Sequence, residues 1–172
     1  LAQKITQSYM ARPQYFSDEM QQRIKGGERI FEFDQLKYVH DAMESRDISG
    51  RPGPRVVIAG SGMSNGGRVV AHEAAVLPDT RSIVLIVGYQ AAGSLGRQLA
   101  EGVKKVSIKG VHVPVRARIE TLYSYSAHMD SAQLLAFAES LGKAPEQIFV
   151  VMGEPASSAF LVSSIAFCLS AL

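Results

Sequence analysis

The chain predicts an α/β fold in which a mainly parallel sheet carries helices on both faces. Two apolar runs support this expectation, Arg55-Val-Val-Ile-Ala-Gly60 and Ser82-Ile-Val-Leu-Ile-Val-Gly88. Uninterrupted apolar stretches of this length suit strands buried on both faces. A glycine-rich turn and a helical pattern lie between them, so a right-handed βαβ unit is the default connection. With 172 residues, 47% hydrophobic and 20% charged, the chain is too apolar to be disordered and large enough to bury about two-thirds of its unfolded surface.

The other elements follow in order. Residues 1 to 24 show helical periodicity through Leu1, Ile5 and Tyr9, interrupted near Arg12-Pro13, so two short helices are expected. The pattern is already running at Leu1 with no initiator methionine before it, and the chain is expected to be a piece of something longer. Gly26-Gly27 break the pattern, Arg29 to Phe33 alternates like a short strand, and Asp34 caps an expected helix reaching Ser45 that carries His40. A helix is expected over 68–76, ended by Pro78-Asp79, and a second short one follows the turn at Gly88 to Gly96. Val106 to Ile108 and Val111 to Leu122 alternate like antiparallel or edge strands, where Pro114 is tolerated. Ser131 to Leu141 predicts a helix with Asp130 as its cap, and Gln147 to Met152 predicts another buried strand. From Ala156 to Leu172 there is no charge, but the run is short and serine-rich for a membrane span; a helix packed on a partner surface or a truncated C-terminus would both account for it.

The net charge of +2 conceals an uneven distribution. Residues 1–50 carry seven Lys/Arg against eight Asp/Glu, residues 51–118 ten against three, and residues 119–172 one against five. A basic middle third suits a phosphate-bearing ligand, although a solvated surface would look the same. No secretory signal pattern is visible and Cys168 has no second cysteine to pair with, so a reducing cytoplasm is the expected compartment.

Chemistry concentrates in a few short blocks. Gly60, Gly62, Gly66 and Gly67 between a strand and a helix resemble a phosphate cradle, in which backbone N–H groups and the helix N-terminus meet an anion. Tight strand-to-helix packing is the alternative. Asn65 stands where a dinucleotide fingerprint wants glycine and no acidic residue follows the second strand, so a nicotinamide or flavin site is disfavoured; a P-loop is excluded because no G-x-x-x-x-G-K-[ST] occurs. Ser126 and His128 are close enough in sequence to contact one phosphate, and a structural histidine is the alternative. The four histidines, 40, 72, 112 and 128, show no zinc-ligand spacing.

Taken in order, Gly60-Ser-Gly-Met-Ser-Asn-Gly-Gly-Arg68, Gly88-Tyr-Gln-Ala-Ala-Gly-Ser-Leu-Gly-Arg97, Ser126-Ala-His-Met-Asp130 and Met152-Gly-Glu154 resemble the β-CASP family of metallo-β-lactamase-fold nucleases, above all its RNA-processing, polyadenylation-type members. The resemblance covers the chain from Leu1 to Glu154. It implies a Rossmann-like β-CASP domain over 1–122 and, over 123–172, the C-terminal piece of a metallo-β-lactamase αββα domain. In that family two zinc ions, held by an HxHxDH motif and further ligands, activate a water that attacks an RNA phosphodiester, and single-stranded RNA runs between the two domains.

By the same resemblance His128 lies beside the scissile phosphate as the catalytic histidine, with Ser126 as a phosphate contact. Gly60, Ser61, Gly62, Met63, Gly66, Gly67, Tyr89, Gln90, Gly93, Gly96 and Arg97 would face the RNA cleft. The chain departs from the family in two places. HxHxDH is absent, and Met152 stands where the family has a zinc-ligating histidine, although a thioether is a poor zinc donor. The expectation is therefore a zinc-dependent ribonuclease whose metal-binding half lies outside this chain, the chain alone being inactive and metal-free. A non-catalytic RNA-binding or scaffolding relative is the alternative, and an unrelated nucleotide-binding α/β domain a third. The face turned to the missing half should be apolar, which makes a homodimer through it a further expectation.

Overall fold

The computed structural model describes residues 2–125, 128–141 and 145–169. Their contacts divide the chain into two units, Leu1–Thr121 and Leu122–Leu172.

The first unit opens with α1 (Ala2–Met10), a 3-10 turn over Pro13–Tyr15, and α2 (Asp18–Lys25). Pro13 separates the two helices as expected. Ser17 caps α2 by accepting from the Met20 N–H, and Asp18 and Glu19 at its start with Arg23 and Lys25 at its end complement the helix dipole. The expected strand at 29–33 is a pair of turns instead, closed by Glu32 N–H to Arg29 O and Leu36 N–H to Phe33 O. Phe31 packs on Phe16, which stacks on Tyr9. Those local bonds and ring contacts take up groups that a strand would have offered to a neighbour.

The next helix also differs from expectation. α3 spans Ala42–Asp47, and its cap is Asp41, whose carboxylate accepts from the Glu44 N–H at 2.7 Å. Asp41 and Glu44 have the three-residue spacing of a capping box, whereas Asp34 is followed at that distance by Lys37, and the better cap wins. His40 consequently precedes the helix.

After a second 3-10 turn (Ile48–Gly50) come α4 (Gly67–Val76), β1 (Ile83–Ile86), α5 (Leu95–Ala100), β2 (Lys105–Ile108), β3 (Val111–Pro114) and β4 (Arg118–Thr121). β1 pairs in parallel with β4, Ile83 opposite Arg118 and Ile86 opposite Thr121. β2 and β3 form an antiparallel hairpin. The class is therefore α/β with a parallel pair, but the connection differs from the expected βαβ unit: β1 pairs with β4 rather than with 55–60, and α5 and the β2–β3 hairpin lie between them, while β2 and β3 are antiparallel and β4 is an edge strand as expected.

Arg55–Gly60 is not a strand. Val56 and Ile58 are about nine-tenths exposed, at 90% and 89%. The run is apolar enough for a buried strand, but among the described residues no strand pairs with it, and without a ladder its N–H and C=O groups stay with solvent.

The core of this unit lies between α4, α5 and the strands, built from Val70, Leu77, Ile86, Leu99, Val106, Ile108 and Val113. Leu77 and Leu99 are wholly buried. The Leu77 carbonyl also accepts from the N–H groups of Arg116 and Ala117, anchoring the approach to β4. On the opposite side of β1, Ile83 and Leu85 remain half exposed.

The second unit consists of α6 (Ser131–Glu139) and α7 (Pro155–Leu169), packed together with Ala138 and Ile165 buried. Asp130 caps α6 as expected, within a reciprocal capping box with Gln133. The expected strand at 147–152 does not form; Phe149, Val151 and Met152 are exposed, and no strand among the described residues pairs with them. The uncharged tail is helical as α7 as far as Leu169, with Phe160, Val162 and Phe167 exposed. Among the described residues no helix is long and apolar enough to cross a membrane.

Candidate functional site

The two glycine turns, 60–67 and 88–97, are brought into direct contact. Gln90 is the clasp: its Nε2 donates to the Gly62 carbonyl at 2.8 Å and to the Gly88 carbonyl at 3.1 Å. A backbone bond from the Gly96 N–H to the Met63 carbonyl adds a second tie. A Cβ at Gly96 would sit 1.8 Å from Gln90 Oε1 and 3.3 Å from the Met63 carbonyl, so any larger residue there displaces the Gln90 amide from its clasp. Gly67 has a left-handed φ of +75°, and a Cβ there would meet the Gly60 carbonyl at 3.1 Å. Ser94 caps α5 by accepting from the Arg97 N–H, while the Arg97 guanidinium bonds Glu101 and the Gln90 carbonyl.

Beneath the first turn lies a buried polar layer. Ser64, itself at a positive φ of 57°, donates from Oγ to Glu73 Oε1. Burial raises the Glu73 pKa above the usual carboxylate range, partly offset by that bond. Glu73 Oε2 and Gln90 Oε1 are buried with no hydrogen-bond partner among the described residues. One residue earlier, His72 Nε2 meets Ser45 Oγ at 3.0 Å. Burial, with the Arg68 charge adding to it, lowers the His72 pKa.

A hollow of about 420 Å³ opens at the start of α4, bordered by Ser64, Asn65, Gly66, Gly67, Gly93 and Lys109 among others. Of the turn residues singled out in the sequence, Gly66, Gly67 and Gly93 border it. Gly62, Met63, Gln90 and Gly96 form its scaffold, and Gly60 supports Gly67 from behind. Tyr89 projects an exposed ring, and the Ser61 carbonyl closes the turn by accepting from the Ser64 N–H.

Lys109 was not legible as a site residue. It occupies the tip of the β2–β3 hairpin, where Lys109 and Gly110 have φ of 51° and 79°, as a two-residue type I′ turn requires. A Lys-Gly pair between two alternating segments was the available signal. Exposed N–H groups at a helix start beside a lysine can hold an anion.

In the second unit His128 is exposed just ahead of the α6 cap, and Ser126 lies outside the described residues. Met152 is fully exposed, at a left-handed φ of 67°. Among the described residues no group of three His, Cys, Asp or Glu side chains could hold a metal ion. The thioether at 152 is a poor donor for zinc.

Residues 1–99 match the model of the Beta-Casp domain. The chain belongs to the β-CASP family. Residues 112–166 match a second model, described as a Zn-dependent metallo-hydrolase RNA specificity domain. Similar proteins include transcription termination factor FttA of Methanocaldococcus jannaschii, 34% identical over 157 residues, covering 88% of this chain and 25% of that protein. Ribonuclease TTHA0252 of Thermus thermophilus is 36% identical over 135 residues, covering 78% of this chain and 31% of that protein. FttA of Pyrococcus abyssi is 31% identical over 168 residues, covering 94% and 26%. This β-CASP chain thus spans about a quarter to a third of the length of the curated relatives it matches.

Proposed function

We propose that this β-CASP chain is the RNA-gripping part of a zinc-dependent ribonuclease that hydrolyses RNA phosphodiester bonds in RNA processing or decay. The observation that carries this is the joining of the two glycine turns through Gln90, with the hollow beside them opening onto the start of α4 and Lys109. The β-CASP and RNA-specificity matches and the names of the relatives support the choice of RNA as the ligand. Backbone N–H groups at Gly66 and Gly67 orient a phosphate, and Lys109 supplies charge that attracts the strand without selecting its sequence. His128 is assigned to the scissile phosphate and Ser126 to a neighbouring phosphate oxygen.

In this reading the hydrolytic centre belongs to the metallo-β-lactamase half, and the chain alone is inactive. A reducing, cytoplasmic setting and self-association through the apolar side of β1 belong to the same reading.

The test uses the full-length protein carrying this segment, loaded with zinc and given single-stranded RNA. His128→Ala should lower cleavage at least a hundredfold while leaving RNA affinity within a few-fold. Equal, robust cleavage by both proteins would remove His128 from the chemistry. A second reading, a non-catalytic RNA-binding relative, is favoured by Met152; full-length protein that binds RNA but cleaves none, even as Met152→His, would establish it.

A further inference from the structure

We infer that the groove between α3 and α4 is a second phosphate site, adjoining the first glycine turn and sharing Gly67 and Lys109 with the hollow there, built to take a phosphate together with the sugar that carries it. The inference rests on the RNA reading for its biological ligand, but its chemistry stands alone.

The groove encloses about 310 Å³, near the lower end of small-molecule pockets. Arg46 from α3, Arg68 from α4 and Lys109 from the hairpin tip border it, and no Asp or Glu does. None of these charges is neutralised by an acidic partner among the described residues. The Arg68 guanidinium is held by carbonyls, donating to Val39 O at 3.1 Å and His40 O at 2.6 Å, which fixes its position without cancelling its charge. Arg46 and Lys109 make no ion pair or side-chain hydrogen bond among the described residues. Three like charges around one hollow repel each other, and an anion between them relieves that repulsion.

The wall also contains a built polar pair. Ser45 and His72 border the groove, are 5% and 8% exposed, and bond to each other at 3.0 Å. In the tautomer that protonates Nε2, Ser45 accepts that proton and leaves its own hydroxyl hydrogen for the groove; in the other, Ser45 donates to the ring. Ala42, Ala71 and Ala75 supply an apolar strip against which a sugar ring can lie, with Ser49 and Gly67 completing the lining. A tetrahedral dianion or diester met by guanidinium, ammonium and hydroxyl donors fits this better than a planar carboxylate, which has fewer oxygens to satisfy them.

Two sources share this chemistry, an internal phosphodiester of RNA and a free or terminal phosphomonoester. The experiment follows the His72 ring protons by NMR in the 172-residue chain at constant ionic strength. Three probes are titrated: inorganic phosphate, uridine 5′-monophosphate and a short 5′-hydroxyl RNA. Saturable shifts are expected, weakened about tenfold by Arg46→Glu, an exposed position bordering only this groove, and unchanged by Arg29→Glu elsewhere on the surface. Shifts from the 5′-hydroxyl RNA assign the diester source; shifts from phosphate and the monophosphate alone assign the monoester.

Two results would overturn the site: a His72 signal indifferent to all three probes, or shifts equally strong in Arg46→Glu, which means an adventitious ion only. RNA binding with His72 unmoved would remove the groove and leave the glycine-turn reading intact. Phosphate binding at His72 in a protein with no affinity for RNA would support the groove and remove the RNA reading.

Discussion

Arg55–Gly60 and Ser82–Gly88 are nearly the same text: short, apolar, β-branched runs that end in glycine. In the structure they have opposite fates. The second contains β1, paired with β4 and sealed by Ile86 against the core, whereas the first leaves Val56 and Ile58 almost fully in solvent. What separates them is supply. Ser82–Gly88 has a strand alongside and helices above it, and Arg55–Gly60 has neither among the described residues. An apolar run therefore reports a demand for burial, and only the rest of the fold decides whether the demand is met.

The comparison can be sharpened by substitutions, the largest effect first. Ile86→Ala removes a side chain 6% exposed in the core and should cost about 3 kcal/mol in urea unfolding. A loss below about 1 kcal/mol would mean that β1 is no better packed than its counterpart. Next, Gly96→Ala forces a Cβ onto the Gln90 amide and should cost about 2 kcal/mol, whereas Gly62→Ala, with open space at its Cβ position, should be close to neutral. Equal effects at both positions would break the claim that the clasp is specific.

A smaller effect is expected from Glu73. Its folded pKa is raised, so its contribution is complete below the ordinary carboxylate range and is lost as pH rises through the folded value. Stability measured against pH should fall across that window in the native chain and stay flatter in Glu73→Gln; an unchanged slope would remove Glu73 from the account. Smallest of all, Ile58→Ala should change stability by no more than about 0.5 kcal/mol, and a cost matching that of Ile86→Ala would show that the first run is buried after all.

Much of the fold was legible wherever local chemistry decides it. Pro13, the Ser131–Glu139 helix with its Asp130 cap, and the helix after the first glycine turn all follow from rules acting over a few residues. The failures at the strands share one cause. Residues 55–60 and 147–152 needed a distant strand that pattern cannot supply, and the parallel pairing of β4 with β1 is equally non-local. The start of α3 is the exception, a local matter: Asp41, with Glu44 three residues on, is a better cap than Asp34.

At the site, the glycine turns were legible as blocks but their joining through Gln90 was not, since a glutamine gives no sign of which carbonyls it will reach. Glu73 and the Ser45–His72 pair were invisible for the same reason: their partners lie 9 and 27 residues away. Lys109 borders both hollows only because the hairpin places it there.

The claim that the joined turns grip RNA is tested most directly by hydrogen–deuterium exchange of the 172-residue chain with and without single-stranded RNA at low salt. Slower exchange at the amides of 60–67 and 88–97, lost as salt is raised, while the amides of 55–59 keep their rates, is the predicted result. Unchanged exchange in both turns under conditions where the RNA is bound would contradict it.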